Sequence, residues 1–68
     1  MKINYMGFVL YSSDDTRAKW ELKHYWQDGV TVECRYFSTQ KEAQRFALNN
    51  GYLRENYVIC RNKTLKSN

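Results

Sequence analysis

The chain has no proline, three isolated glycines, one histidine and two cysteines among its 68 residues. Each scarcity removes a class of reading. Gly7, Gly29 and Gly51 stand far apart, so no glycine-rich loop is present to cradle a phosphate. Cys34, Cys60 and His24 are dispersed, and none has a second Cys or His near it, so the tight local spacing of a zinc site is missing. No metal and no cofactor are expected. The hydroxyls Ser12, Ser13 and Ser38 fall in turn or pre-helix positions, and nothing brings His24 within hydrogen-bond reach of any of them. Asp14 and Asp15 read as turn residues that bond the local backbone rather than as a carboxylate pair. The chain is therefore not expected to be an enzyme. No stretch approaches the roughly 18 apolar residues of a membrane span. Asn4 and Gly7 interrupt the first residues, which carry no small-residue cleavage pattern. A cytoplasmic protein is expected, with two small buried thiols rather than a disulfide. The sequon Asn62-Lys63-Thr64 is then accidental.

Aromatics and charge are what the chain has. Tyr supplies six of the rings, and aromatics make up 16% of the residues. With no proline to interrupt a strand, this composition suits a small sheet whose core is filled by rings with polar tips. A chain this short hides only about 60% of its unfolded surface on folding, so every large apolar residue is needed. Most of the net charge of +4 lies late: residues 54 to 68 carry Arg54, Arg61, Lys63 and Lys66 against Glu55. Residues 1–61 are expected to form one compact domain, and 62–68 a basic flexible tail.

Residues Trp20 to Tyr36 alternate with period two on either side of Asp28-Gly29, which predicts a β-hairpin. An Asp-Gly two-residue loop would place Trp26 opposite Thr31 and send the two apolar rows to opposite faces. A three-residue loop, Gln27-Asp28-Gly29, with Gly29 left-handed, instead pairs Trp26 with Val30, His24 with Val32, Leu22 with Cys34 and Trp20 with Tyr36. This second register is the one expected. It sets Lys23 opposite Glu33 and Glu21 opposite Arg35 on the wet face, a nearly self-neutralised surface. His24 falls on the dry face as a core histidine.

Ile3 to Tyr11 reads as one strand, with Met6, Phe8 and Leu10 inward and Tyr5, Val9 and Tyr11 on the other side. Ser12 to Asp15 is a polar turn. Thr39 with Glu42 makes a capping box, so a helix is predicted over Gln40 to Asn49 with Ala43, Phe46 and Ala47 inward and Leu48 at the margin. Gly51 closes it, and Tyr57 to Arg61 is a last strand. The order β-β-β-α-β implies an α+β fold, a small, mainly antiparallel sheet of three to four strands with one helix packed on one face. Both tryptophans are expected beneath that helix.

Three strands followed by Arg35-Tyr36-Phe37-Ser38-Thr39-Gln40-Lys41-Glu42-Ala43 resemble the sheet-plus-helix DNA-binding domains of integrase arms and plant AP2 factors. The likeness covers about a third of the chain. It implies that Lys19, Lys23, Tyr25 and Arg35 would read a major groove. The two glutamates at 21 and 33 and the strand after the helix depart from the pattern.

Binding is thus the expected role. The first expectation is a protein partner, docked on an aromatic, mixed-charge sheet face through Tyr11, Tyr25, Arg35, Phe37, Lys19 and Lys23. Small free-standing chains of this kind often act as viral or mobile-element inhibitors of host machinery, anti-CRISPR-like factors among them. The alternative is a nucleic-acid-binding module that adds Lys41, Arg45, Arg61, Lys63 and Lys66 to the sheet aromatics. Pairing of two copies into a homodimer through Tyr5, Val9 and Tyr11 is a third expectation.

Overall fold

Gly7 takes a φ of 83°, a conformation open to glycine at little cost, and the chain doubles back there. The stretch expected as one strand is therefore two, β1 (Lys2–Tyr5) and β2 (Phe8–Tyr11), with Tyr5 opposite Phe8. The computed structural model describes residues 2–5 and 7–64, apart from the side chains of residues 2, 3 and 5. The inward position expected for Met6 and the outward one for Tyr5 lie outside what is described.

Three more strands follow: β3 (Trp20–Tyr25), β4 (Val32–Phe37) and, after the helix α1 (Gln40–Asn49) and a single 3-10 turn at Arg54–Asn56, β5 (Tyr57–Arg61). The sheet runs β1-β2-β4-β3-β5, and every neighbouring pair is antiparallel. The expected fold class holds: β2, β4, β3 and β5 form an antiparallel core with α1 laid on one side, and β1 adds a fifth strand at the edge.

The helix begins and ends where its sequence says. The Glu42 N–H donates to Thr39 Oγ1 at 3.2 Å, and the Ser38 hydroxyl holds the Glu42 carboxylate at 2.8 Å. The first bond satisfies a backbone N–H that a helix N-terminus exposes, and the second fixes the Glu42 side chain beside it. At the other end the Asn50 side-chain amide donates to the Phe46 carbonyl at 2.8 Å, and Gly51 at φ 69° turns the chain away. Ala43, Phe46 and Ala47 are buried as expected. The two alanines let α1 approach closely, so the Phe46 ring meets Phe8 at 5.4 Å and Phe37 at 5.3 Å. Leu22 and Tyr57 complete this core, with Leu10, Tyr52 and Ile59 at its margin. The tryptophans do not belong to it: Trp20 is half-buried and Trp26 is 44% exposed.

The hairpin takes the register that the apolar pattern argued against. The Trp26 N–H donates to the Thr31 carbonyl at 2.9 Å, and the pairing continues as Tyr25 with Val32, His24 with Glu33, Leu22 with Arg35, Lys23 with Cys34 and Trp20 with Phe37. Local chemistry in the loop is the reason. The Asp28 carboxylate accepts from the Val30 N–H at 2.9 Å, the Thr31 N–H at 2.8 Å and the Thr31 hydroxyl. Thr31 is thereby fixed at the loop's end. These three donors also hold the Asp28 carboxyl below its ordinary pKa, the Thr31 hydroxyl being the largest cause. Val30 is left 84% exposed at the tip, and Phe37 moves inward to be fully buried.

The ordered structure also continues past residue 61. The Asn62 N–H bonds the Lys19 carbonyl at 2.9 Å. Its buried side-chain amide donates to the Ser13 carbonyl at 2.9 Å and the Ala18 carbonyl at 2.7 Å. The sequon asparagine is thus a structural clamp. Among the described residues no helix is long and apolar enough to cross a membrane.

Candidate functional site

Cross-strand partners in an antiparallel sheet share a face, so the register sorts every side chain. Trp20, Leu22 and His24 face α1, together with Phe37, Arg35 and Glu33 on β4 and Tyr57, Ile59 and Arg61 on β5. The opposite face holds Glu21, Lys23 and Tyr25, flanked by Tyr36, Cys34 and Val32 on one side and Cys60 and Val58 on the other. Tyr11, paired with Tyr36, extends it onto β2, where Val9 shares its side. No described element packs over this second face. Tyr25 and Val32, direct cross-strand partners, are 45% and 46% exposed there, and Val58, opposite Lys23, is 50% exposed.

Glu21 is the centre of the open face, and it is occupied. Its carboxylate accepts from the Tyr36 hydroxyl at 3.0 Å and from Cys60 Sγ at 3.6 Å. Burial, reinforced by the neighbouring carboxylate, pushes the Tyr36 phenol up to about 12. The Cys60 thiol is raised for the same two reasons, burial first. Both cysteines are free and half-buried. At the β2 end the Arg17 guanidinium lies 5.0 Å from the Tyr11 ring centre and grips Asp15 through two bonds of 3.0 and 2.9 Å. Those bonds, with one from the Arg17 N–H, hold the Asp15 carboxyl well below the usual carboxylate range.

The sequence-predicted contact residues separate accordingly. Tyr11, Tyr25 and Lys23 lie together on the open face. Lys19, paired with Asn62 one step beyond β3, continues on the same side. Phe37 is a core residue, fully buried beneath α1. Arg35 is on the helix side, where it contacts Glu33 at 3.6 Å and donates to the Cys34 carbonyl at 3.1 Å. The expected Lys23–Glu33 and Glu21–Arg35 pairs are absent, because Glu33 and Arg35 face away from Lys23 and Glu21. Glu33 instead accepts from Trp26 Nε1 at 3.0 Å. The open face therefore keeps the net charge expected of it, Lys19 and Lys23 against Glu21, because Glu33 and Arg35 leave it together.

The basic residues of the alternative reading do not form one track. Lys41 is exposed on α1, Arg45 lies over Phe8 and Arg61 over Trp20, all on the helix side. Lys63 follows β5, close enough to oppose the rise of the Cys60 thiol on the open face. Lys66 lies outside the described residues. Tyr36, Val32 and Val58 are the open-face residues that pattern reading missed. The signal for the first two was Asp28 three positions before Thr31.

A second recess lies where α1 hands over to β5. Stacked His24 and Tyr52 rings, 3.7 Å apart, meet Trp26 edge-on at 4.8 Å from His24, beside a cavity of about 210 Å³ that Asn50, Leu53 and Asn56 also line. His24 is buried, as expected of a core histidine, yet its Nδ1 has no hydrogen-bond partner among the described residues. No cluster of potential metal ligands occurs among the described residues. Comparison of the chain with family models, with curated proteins and with solved structures finds no match.

Proposed function

We propose that the chain is a non-enzymatic binding module that docks on a protein partner through the open face of its sheet. One observation carries the reading: the cross-strand pairs Tyr11–Tyr36 and Tyr25–Val32, linked along β4 by Cys34, lie with Val58 on the side of the sheet that α1 leaves uncovered. Tyrosines on a fixed backbone give contact area at low entropic cost, and protein hot spots are enriched in them. The single acid at the centre already has two donors, so it can be covered without losing its partners. Lys23, between Cys34 and Val58, and Lys19 on the same side favour a partner that sets acidic groups among its apolar contacts. Capture experiments with the wild-type chain and with Tyr25→Ser/Val32→Ser test this. A partner held by the wild type, lost by the variant and unaffected by nuclease supports the reading, while equal retention by both chains removes it.

A second reading, a nucleic-acid platform, gains from one feature. Tyr11, Tyr25 and Tyr36 lie on one side of the sheet with Lys19 and Lys23, and these rings offer stacking surfaces for bases. Of the four residues that the integrase-arm and AP2 resemblance would assign to DNA, Lys19, Lys23 and Tyr25 share this side and Arg35 does not. Retention on single-stranded DNA that falls steeply with rising salt is the expected signature of this reading, and weak retention at all salt concentrations is that of a protein docker.

A further inference from the structure

The outer edge of β5 is unpaired. The bond from Asn62 N–H to the Lys19 carbonyl sets the phase of the β3–β5 ladder, so Cys60 and Val58 direct their backbone groups to β3. By alternation, the N–H and C=O groups of Tyr57, Ile59 and Arg61 point away from the sheet. No described residue bonds them. Exposed edges are usually blunted by proline, a bulge or a central lysine. Tyr57-Val58-Ile59-Cys60-Arg61 has none of these and carries charge only at its last position.

Two features beside the edge state what would fit. On the helix side a groove of about 210 Å³ runs between α1 and β5, lined by Gln40, Gln44, Leu48, Arg54, Tyr57 and Ile59; Leu48 is 71% exposed there. At either end of the strand stands an arginine held only against a ring, Arg54 at 5.6 Å from Tyr57 and Arg61 at 5.2 Å from Trp20. Neither has a carboxylate partner among the described residues.

We propose that β5 accepts an added strand from a protein partner: an extended segment, antiparallel to β5, with an apolar residue opposite Ile59 and acidic residues opposite Tyr57 and Arg61. The outward backbone groups require an extended chain. The apolar side chain enters the groove against Ile59 and Leu48, and the acids meet Arg54 and Arg61. A second copy of this chain meets the hydrogen-bond phase, since Ile59 can face Ile59 with Tyr57 opposite Arg61. It would also bring Arg61 of one copy toward Arg54 of the other, and this like-charge approach is what favours an acidic partner instead. The inference rests on the partner being a protein and does not require the open face.

The probe is a capped peptide, Glu-Thr-Val-Thr-Glu, titrated into the isotope-labelled full chain with residue-resolved amide exchange as readout. Lys-Thr-Val-Thr-Lys serves as its charge-reversed control. Slowed exchange at Tyr57, Ile59 and Arg61, without added protection at Val58 and Cys60, is the expected result. The exposed double variant Arg54→Glu/Arg61→Glu should bind the acidic peptide about tenfold or more weakly and prefer the basic one. Unchanged exchange overturns the proposal. Protection of the same amides that rises with chain concentration and without peptide also overturns it, in favour of a second copy. Perturbation confined to Tyr11, Tyr25 and Val32 overturns the edge while leaving the open-face reading intact.

Discussion

The two faces of this sheet are similar in composition and different in fate. The side under α1 holds Phe8, Leu22, Phe37 and Tyr57 in a closed core with Phe46. The other side presents Tyr11, Tyr25, Tyr36, Val9, Val32 and Val58 with no described element above them. Apolar content does not decide which face is inside. What decides it is where a helix with two alanines on its inner stripe can approach, and that is where Phe37 and Leu22 point. A face that is apolar but left uncovered is a surface with a cost in water, and it gains free energy when a partner covers it.

The largest way to break that comparison is Phe37→Ala, which should destabilise the fold by about 3 to 5 kcal/mol in urea or thermal unfolding. The adjacent Tyr36→Phe, on the open side, should cost about 1 kcal/mol through its lost bond to Glu21. Equal effects at the two positions would mean that both faces are packed. Next in size is Thr39→Ala, which removes the bond to the Glu42 N–H and should cost about 1 kcal/mol, read as a lower denaturation midpoint.

Alkaline titration sharpens the contrast further. The folded-state phenol of Tyr36 is raised from its ordinary 10.0 to about 12, so the folded chain holds this proton more tightly than the unfolded one. The associated stability is complete below about pH 10 and is lost as pH rises toward 12. Tyr36→Phe should flatten that limb of the stability profile. The opposite sign applies to Asp28, whose lowered carboxyl favours the fold above the usual carboxylate range and ceases to do so on acidification. Asp28→Ala should remove this acid limb. Cross-strand contacts in the same variant should show whether Trp26 shifts from Thr31 to Val30. The smallest expected stability effect is that of Tyr25→Ser with Val32→Ser, under about 1 kcal/mol, while partner capture is lost.

The helix was readable because its signals are local and independent: Thr39 and Glu42 at one end, Gly51 at the other, two alanines and a phenylalanine between. The register was not readable by aligning apolar rows, because the observed pairing sets Leu22 and His24 opposite Arg35 and Glu33 and leaves Cys34 and Val32 on the other face, so the two apolar rows do not coincide. The loop held the answer, in the reach of the Asp28 carboxylate to Thr31. That choice of loop also moved Glu33 and Arg35 to the helix side, so two of the charges assigned to the open face were misplaced with it. The split of the first strand turns on Gly7, and a lone glycine within a strand pattern marks a bulge as readily as a turn.

The Asn62 clamp reaches across 49 residues to Ser13 and 44 to Ala18, and both bonds use hydrogens of the same amide nitrogen. A sugar attached at that nitrogen would replace one of those hydrogens, and hydrolysis of the amide to an acid would remove both and turn a negative charge toward two carbonyl oxygens. Either chemical event would unfasten the crossing from β2 to β3 from the far end of the chain, so ageing at this one asparagine should register as loosening of residues 12 to 19.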